Sequence, residues 1–148
     1  MKTIFKTLLL LIALSAVPVF AQSDFEAIKA RAETGDAEAQ VSLGFIYGDG
    51  EGVAENDQEA VKWFRLAAEQ GNVLSQNLLG LQYLLGGMGV VQNYKEALNW
   101  FILAAKQGHS GSQSEMARMY EQGRGATQNF SLAYIWYSLA NTTQIRGS

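Results

Sequence analysis

The sequence predicts an all-α fold in which similar helix pairs stack side by side as a solenoid. Two observations predict it: a repeat with a period of 36 to 37 residues, and apolar residues at helical spacing inside the copies. The period is clearest in Trp63, Trp100 and Trp136, which lie 37 and 36 residues apart. A period in this range is the signature of stacked repeats, whose buried faces are covered by the neighbouring copies.

Other residue types keep the same register as the tryptophans. The one-residue difference in period falls in the glycine-rich segment after each tyrosine, so the insertion lies in a loop and leaves the flanking helices intact. Each copy is therefore predicted to be a helix, a glycine-rich turn, a second helix and a glycine stop. The recurring structural positions are Gly44, Tyr47, Trp63, Gly71, Gly80, Tyr83, Trp100, Gly108, Tyr120 and Trp136.

The first copy illustrates how local sequence specifies the two helices. Residues 37–47 place apolar side chains at helical spacing, and three glycines within residues 48–52 then favour a turn. We expect the second helix to begin after Asn56, a favoured N-cap residue, with Glu59 completing a capping box. Gly71 is expected to end this helix in a left-handed conformation.

One position in the first helix stays small in all three copies, as Gly44, Gly80 and Ala117. Glycine inside a helix costs up to about 1 kcal/mol relative to alanine. A position that remains small despite this cost predicts the close approach of another helix. The three tryptophans are expected to act as wedges between successive copies.

The N-terminal segment has the form of a secretory signal peptide. Lys2 and Lys6 precede an apolar stretch in residues 8–19, and Val19 and Ala21 suit the positions before a cleavage site. Residues 1–21 are therefore predicted to be removed, with residues 22–36 forming an N-terminal capping helix. An uncleaved membrane anchor is the alternative. The predicted location of the mature chain is the periplasm or the medium of a bacterium.

Composition restricts the classes of partner. The chain has 11 basic and 14 acidic residues, and removing residues 1–21, with Lys2 and Lys6, changes the net charge from −3 to about −5. This acidic balance argues against nucleic acid or an anionic membrane as a partner. The chain has no cysteine, so an exported form would rely on its core without disulfides. No segment after the signal peptide is predicted to span a membrane.

Residue patterns for catalysis or metal binding are hard to find. His109 is the only histidine, and without cysteine the chain offers no ordinary zinc set. We expect His109 to lie in a solvated turn; Ser110, Ser112 and Ser114 follow it, but no acidic residue is placed to complete a triad. We therefore predict no catalytic, metal or cofactor site.

The order Ala-x3-Leu-Gly-x2-Tyr, then Gly-x-Gly-Val, then Ala-x2-Trp-Phe-x2-Ala-Ala-x-Gln-Gly resembles the Sel1-like repeat, a relative of the tetratricopeptide repeat. In the first copy these pieces are residues 39–47, 50–53 and 60–71. The resemblance divides residues 37–148 into three repeats, at about 37–72, 73–109 and 110–142, with a short C-terminal tail. It implies a right-handed α/α superhelical solenoid of antiparallel helix pairs, with the first helices on the concave side.

The resemblance also implies that the concave side binds a protein or peptide. Phe45 and Leu81 are expected to lie side by side with Arg118 beyond them, as an apolar strip with a cationic end that suits an apolar side chain and an acidic group. Alternatively, Phe45 and Leu81 simply pack between copies. The predicted partner-binding residues are Val41, Phe45, Asn77, Leu81, Ser114 and Arg118.

The predicted function is an exported, non-catalytic protein-interaction module or adaptor, and two other functions stay open. Residues 130–137 make the last helix unusually aromatic where a terminal repeat needs a polar face, which favours self-association or cover by another helix. Some exported, cysteine-rich relatives of this repeat are described as β-lactamase-like hydrolases, but this chain lacks their disulfide-forming residues. The sequence does not identify the protein partner.

Overall fold

The structure is a computed structural model that describes residues 19–146, with side chains described for residues 24–142. Its seven helices in that range confirm the predicted all-α fold class. The helices are α1 (Val19–Glu33), α2 (Ala37–Asp49), α3 (Asp57–Glu69), α4 (Val73–Leu85), α5 (Tyr94–Lys106), α6 (Ser110–Gln122) and α7 (Phe130–Arg146).

The predicted signal peptide falls mainly outside the described part of the chain, which begins at residue 19. Helix α1 runs through the predicted cleavage position after Ala21 and continues into the predicted capping helix. Among the helices described, none combines the length and the hydropathy that a membrane span requires.

Each helix packs against its neighbours in chain order, which is the contact pattern of a solenoid. Contact is most extensive within the pairs α2 with α3, α4 with α5, and α6 with α7. Helices α4 and α6 also touch directly, although a complete helix separates them in the chain. The first helices of successive repeats therefore lie next to each other on one side of the stack.

Each second helix begins at an asparagine, as the first copy illustrates. Asn56 Oδ1 accepts the backbone N–H of Glu59 at 3.0 Å. The second half of the predicted capping box is wrong, because the Glu59 carboxylate pairs with Lys62 and the Asn56 N–H donates to the Tyr47 carbonyl at 2.8 Å. The same asparagine-to-tyrosine bond closes the loop in the other two copies. The third copy therefore accommodates Leu132 where a capping box would need glutamate.

A glycine with positive φ separates each repeat from the next. Gly71 has φ of 94° and Gly108 has φ of 89°, a region that L-residues with side chains rarely adopt. The N–H of Asn72 bonds back to the Ala67 carbonyl at 3.0 Å, which closes the end of α3 in a Schellman-type turn. This turn reverses the chain so that α4 packs against α3.

Within the first two pairs, an aromatic ring fills the space beside the small residue of the first helix. A Cβ added to Gly44 would lie 2.5 Å from Cε1 of Phe64, and one added to Gly80 would lie 2.5 Å from Cε1 of Phe101. The two phenylalanines are 3% and 0% exposed. The close approach at these glycines is therefore made by a ring of the second helix.

The third pair differs at this contact. Ala117 carries a methyl group at the position of the glycines, and Tyr137 stands at the position of the phenylalanines. Tyr137 is 37% exposed, and its hydroxyl donates to the Glu121 carboxylate at 3.3 Å. The ring of the third pair thus remains partly in solvent and is held by a polar contact at its edge.

The tryptophans of the second helices pack against the unit that precedes their own. Trp63 is 8% exposed and lies in a cluster with Ala32 at the end of α1. Trp100 packs against the core cluster that contains Phe64, and Trp136 packs against the core cluster of the second copy. Each indole therefore joins two successive units.

A buried glutamine ties each first helix to the helix before it, a feature that the sequence analysis missed. Gln40 Nε2 donates to the Ala32 carbonyl at 3.1 Å, and its Oε1 accepts from Gln70 at 2.7 Å. Buried amides need such partners, so the bonds fix the register between repeats. The three glutamines and the carbonyls that accept from them are Gln40 with Ala32, Gln76 with Ala68, and Gln113 with Ala105.

We predict that Gly80→Ala lowers the free energy of unfolding by about 1 kcal/mol, although alanine is the better helix former. The added methyl group would clash with the Phe101 ring, and the free-energy cost of this overpacking exceeds the gain in helix propensity. Chemical denaturation of the wild-type and variant proteins measures the difference.

Phe101→Leu provides the background for a double-mutant cycle on the same contact. In that background the ring is gone, so Gly80→Ala should raise the unfolding free energy by up to about 1 kcal/mol. An effect of the same sign and size in both backgrounds would contradict the packing described for this pair.

Candidate partner-binding surface

The candidate surface is the exposed side of α2, α4 and α6, opposite the second helices, and we call it the first-helix face. Phe45, Leu81 and Arg118 occupy equivalent positions on this face. Phe45 is 40% exposed, Leu81 is half-buried and Arg118 is exposed. The structure therefore leaves all three of these predicted residues at least partly open to solvent.

Two of the other three predicted residues, Val41 and Asn77, lie on the side of their helix that faces the next repeat. Val41 is 6% exposed and packs in a core cluster with Leu79 of α4, so its prediction as a partner-binding residue is wrong. Asn77 is half-buried, and its side-chain oxygen accepts from the Ser112 hydroxyl at 2.9 Å. Ser114 is half-buried on α6. This row therefore serves contacts between repeats more than an open surface.

The cationic end predicted for the strip is balanced by a neighbouring carboxylate. Arg118 pairs with Glu115 of the same helix, with 2.7 Å between the charged atoms. Glu121, one turn further along α6, accepts from the Tyr137 hydroxyl. The α6 part of the first-helix face is therefore polar and carries no excess of positive charge.

The most apolar part of the first-helix face is a row on α4 that the sequence analysis did not recognise. Leu74 is 44% exposed and Leu85 is 73% exposed, while Leu78 and Leu81, which lie between them on the same side of the helix, are half-buried. The spacing of four, three and four residues places all of them on one side of a helix, which was a readable signal in the sequence. This α4 leucine stripe consists of Leu74, Leu78, Leu81 and Leu85.

A cleft of about 250 Å³ lies between α2 and α4 at one edge of the leucine stripe, and we call it the α2/α4 cleft. Phe45 and Phe64 meet in it edge to face, with ring centroids 5.1 Å apart and an interplanar angle of 76°. The α4 residues beside Phe45 are Leu78 and Gln82, whereas Leu81, its predicted neighbour, packs against the core of the second copy. The cleft is lined by Gly44, Phe45, Gly48, Asp49, Asp57, Phe64, Leu78, Gln82 and Met88.

Met88 forms part of the wall of this cleft and has an unusual backbone. Its φ is 51°, which makes it the one non-glycine residue with positive φ in the described part of the chain. Such a conformation costs about 1–2 kcal/mol for a residue with a side chain. The methionine comes from the longer glycine-rich loop after α4 and packs against the core cluster of the first copy. This placement depends on tertiary structure and has no local signal in the sequence.

The expectation that His109 lies in a solvated turn is wrong, because this residue is the N-cap of α6. Its Nδ1 accepts the Ser112 N–H at 3.0 Å, as Asp36 and Asn72 do at the starts of α2 and α4. Burial lowers the pKa of the imidazole below its ordinary value of 6.5. An accepting Nδ1 requires the neutral ring with its proton on Nε2.

The short distance between His109 and Ser112 does not produce an activated nucleophile. The Ser112 hydroxyl lies 3.0 Å from Nδ1, but it donates to Asn77 at 2.9 Å, and Ser112 is 0% exposed. Nδ1 is itself occupied by a backbone N–H. A general base needs a free lone pair and a reachable hydroxyl, and both groups here are engaged in the helix start.

The stacked helix pairs and their open first-helix face define an α-solenoid of the tetratricopeptide-like class. A sequence model of the Sel1 repeat matches residues 37–72, 73–109 and 110–141. The chain belongs to the Sel1 repeat family. Proteins of this family are generally scaffolds without enzymatic activity that bind protein partners.

Three similar proteins give the comparison detail. The secretory immunoglobulin A-binding protein EsiB of Escherichia coli is 37% identical over 57 residues, which cover 38% of this chain and 12% of EsiB. A protective antigen of uropathogenic Escherichia coli with an SLR fold superposes with a TM-score of 0.76 and 36% identity, over 80% of this chain and 25% of the antigen. A Sel1 repeat protein from Oxalobacter formigenes superposes with a TM-score of 0.75 and 34% identity, over 83% of this chain and 96% of that protein.

The cap at His109 predicts a loss of stability on the acid side of neutral pH. The pKa is lowered by folding, so the unfolded chain binds more protons once the pH falls below about 6.5. The contribution of the cap is complete above that pH and is lost as the pH falls towards the pKa of the folded protein. Unfolding free energies measured by denaturant at about pH 7.5 and about pH 5 test this.

His109→Asn is the matched variant, because asparagine caps a helix without titrating and already caps α4. We expect this variant to lose less stability than the wild type between the two pH values. Asp36 does not interfere, since hydrogen bonds from Ala39 and Arg31 lower its pKa from 3.8, below the range tested. Equal losses in wild type and variant would show that His109 is not the responsible group.

Proposed function

We propose that this chain is an exported, non-catalytic interaction module that docks a segment of another protein on its first-helix face. The α4 leucine stripe carries the proposal. Leu74 and Leu85 are 44% and 73% exposed on a helix whose opposite side is fully packed. Contiguous exposed apolar side chains on a folded domain mark interaction sites.

The residues around the stripe suit a protein partner. Glu38 and Ser42 on α2 are exposed on one side, and the Arg118 pair with Glu115 lies on the other. An apolar centre with a polar rim is the usual composition of a protein interface, where a few central side chains supply most of the binding energy. The α2/α4 cleft adds a recess at the edge of this centre.

Two further observations support export and a partner outside the cytoplasm. Residues 1–21 have the three-part form of a signal peptide. EsiB is named for binding secretory immunoglobulin A, and the superposed antigen is described as protective. This chain spans only 12% of EsiB and 25% of the antigen. That its own partner is also a protein outside the bacterial cytoplasm is therefore part of the proposal.

The hydrolase alternative gains no support from the site geometry. It would need a free histidine and a reachable serine, whereas His109 and Ser112 are both engaged at the start of α6.

Self-association through α7 is a second candidate function, favoured by the exposure of its apolar residues. Tyr134 stands at the position of Val61 and Leu98, which pack against the core clusters of their copies, yet it is 74% exposed. Ile135 is 55% exposed and Leu139 is 42% exposed beside it, along a shallow groove of about 370 Å³. A second copy of the chain could cover this face through its own α7.

We predict that Leu74→Ser/Leu85→Ser removes partner capture while leaving the fold intact. Loss of a central apolar anchor costs about 2 kcal/mol or more, and each 1.4 kcal/mol is about tenfold in affinity. Proteins enriched from periplasmic extract by the immobilised wild-type chain should therefore fall by about tenfold or more in quantitative mass spectrometry.

Leu66→Ser/Leu103→Ser is the matched control. These leucines are 37% and 43% exposed at equivalent positions of the second helices. The control should retain the same partners as the wild type, and circular dichroism should show equal helix content in all three proteins. Retention of every partner by the α4 variant would refute the first-helix face as the docking surface.

For the second candidate, we expect Tyr134→Ser/Ile135→Ser to shift the chain from dimer to monomer. Sedimentation velocity over a range of concentrations measures this, because a weak dimer dissociates on dilution by mass action. A wild-type chain that remains monomeric at the highest concentration would exclude self-association through α7.

A further inference from the structure

Two carboxylates border the α2/α4 cleft beside its aromatic floor. Asp49 and Asp57 both line the cleft together with Phe45 and Phe64. Neither aspartate belongs to an ion pair among the residues whose side chains are described. The recess is therefore apolar inside and negatively charged at its border.

Helix-dipole electrostatics favours a carboxylate at the position of only one of the two aspartates. Asp57 is the first residue of α3, where a negative charge meets the positive end of the helix dipole. Asp49 is the last residue of α2, at the negative end, where a carboxylate is unfavourable by about 0.3–1 kcal/mol. A cation bound beside Asp49 would relieve that repulsion.

We propose that the α2/α4 cleft binds an apolar side chain of the protein partner that is flanked in its sequence by lysine or arginine. The inference rests on the proposed function and specifies the chemistry of one part of its site. At about 250 Å³ the cleft is smaller than the roughly 300–1,000 Å³ of small-molecule pockets, so it suits one side chain. The flanking cations meet the carboxylates and the ring of Phe45.

Met88 adapts this cleft to side chains of different shape. Its strained backbone, with φ of 51°, directs a flexible thioether into the wall next to Gly48, where an added Cβ would lie 3.1 Å from the Met88 Cε. Methionine is common at surfaces that accept varied apolar partners, because its side chain repacks easily. Strain of this kind concentrates at functional sites.

The equivalent junction between α4 and α6 lacks this chemistry. Leu85 stands at the position of Asp49, and Tyr94 stands at the position of Asp57. Glu115, at the position of Leu78, pairs with Arg118. Among the described repeats, the combination of an apolar recess with unpaired carboxylates is therefore confined to the first junction. The repeat pattern alone does not explain this combination.

Methionine-methyl NMR of the full chain tests the proposal. The probe is a set of blocked peptides, Gly-Lys-Xaa-Lys-Gly, with leucine, methionine or phenylalanine at the centre. At least one peptide should shift the Met88 methyl signal, assigned through Met88→Leu, in a saturable manner. The methyl signals of Met116 and Met119, which are each 1% exposed, should stay in place. The matched peptides with glutamate in place of lysine should give no shift.

Asp49→Asn should weaken the lysine peptide by about three- to fivefold, as expected for loss of one partly exposed charge pair. Its thermal stability should equal or exceed that of the wild type, because the variant removes a charge from the negative helix end. Glu69→Gln is the control, since Glu69 is the last residue of α3, is exposed and lies outside the cleft. This control should leave the affinity unchanged, and added salt should weaken binding to the wild type.

Three outcomes would overturn the proposal: no shift of Met88 with any lysine peptide, equal shifts with lysine and glutamate peptides, or equal weakening by Asp49→Asn and Glu69→Gln. None of them touches the proposed function, which is tested through Leu74 and Leu85 outside the cleft. Conversely, if the capture experiment refuted the first-helix face as the docking surface, a positive result with the lysine peptides would still stand.

Discussion

The contact between a glycine of the first helix and a phenylalanine of the second sets how closely the first two helix pairs pack. The Phe64 ring occupies the space of the Cβ that Gly44 lacks, and Phe101 does the same at Gly80. Each ring also belongs to a core cluster that extends into the next repeat, where Phe64 meets Leu79 of α4 and Phe101 meets Met116 of α6. Gln76 of α4 adds a buried hydrogen bond to the Ala68 carbonyl of α3. Stacking therefore uses the inner sides of the helices and leaves the first-helix face uncovered.

The same backbone then presents three different surfaces. Equivalent positions on the first-helix face hold Phe45, Leu81 and Arg118, and their surroundings change accordingly. The first copy offers an aromatic recess with carboxylates, the second a row of leucines, and the third an ion pair. The proposed recognition therefore rests on the differences between copies, because the shared positions are used for packing.

The sequence predicted the features that depend on local rules and failed where distant contacts decide. Asn56 and Gly71 act through bonds to residues a few positions away, so type and spacing were sufficient to place a cap and a helix end. Val41 resembled a variable surface residue, but α4 covers it, and its burial depends on the distance between two repeats. His109 could have been recognised as a cap from its register with Asp36 and Asn72, although histidine is an unusual choice there. Met88 had no signal at all.

The two apolar surfaces of this protein have different origins. The exposed side of α7 corresponds to the side of α3 and α5 that packs against a following repeat, so repetition alone places Tyr134 there. The positions of Leu74 and Leu85 on the outer side of α4 are exposed in the other two copies as well, where they hold Glu38, Asp49, Gly111 and Gln122, so stacking requires nothing apolar there. Packing between repeats therefore does not explain why leucine occupies the exposed positions 74 and 85. For this reason the leucine stripe is the stronger indication of a binding surface, even though α7 exposes more aromatic area.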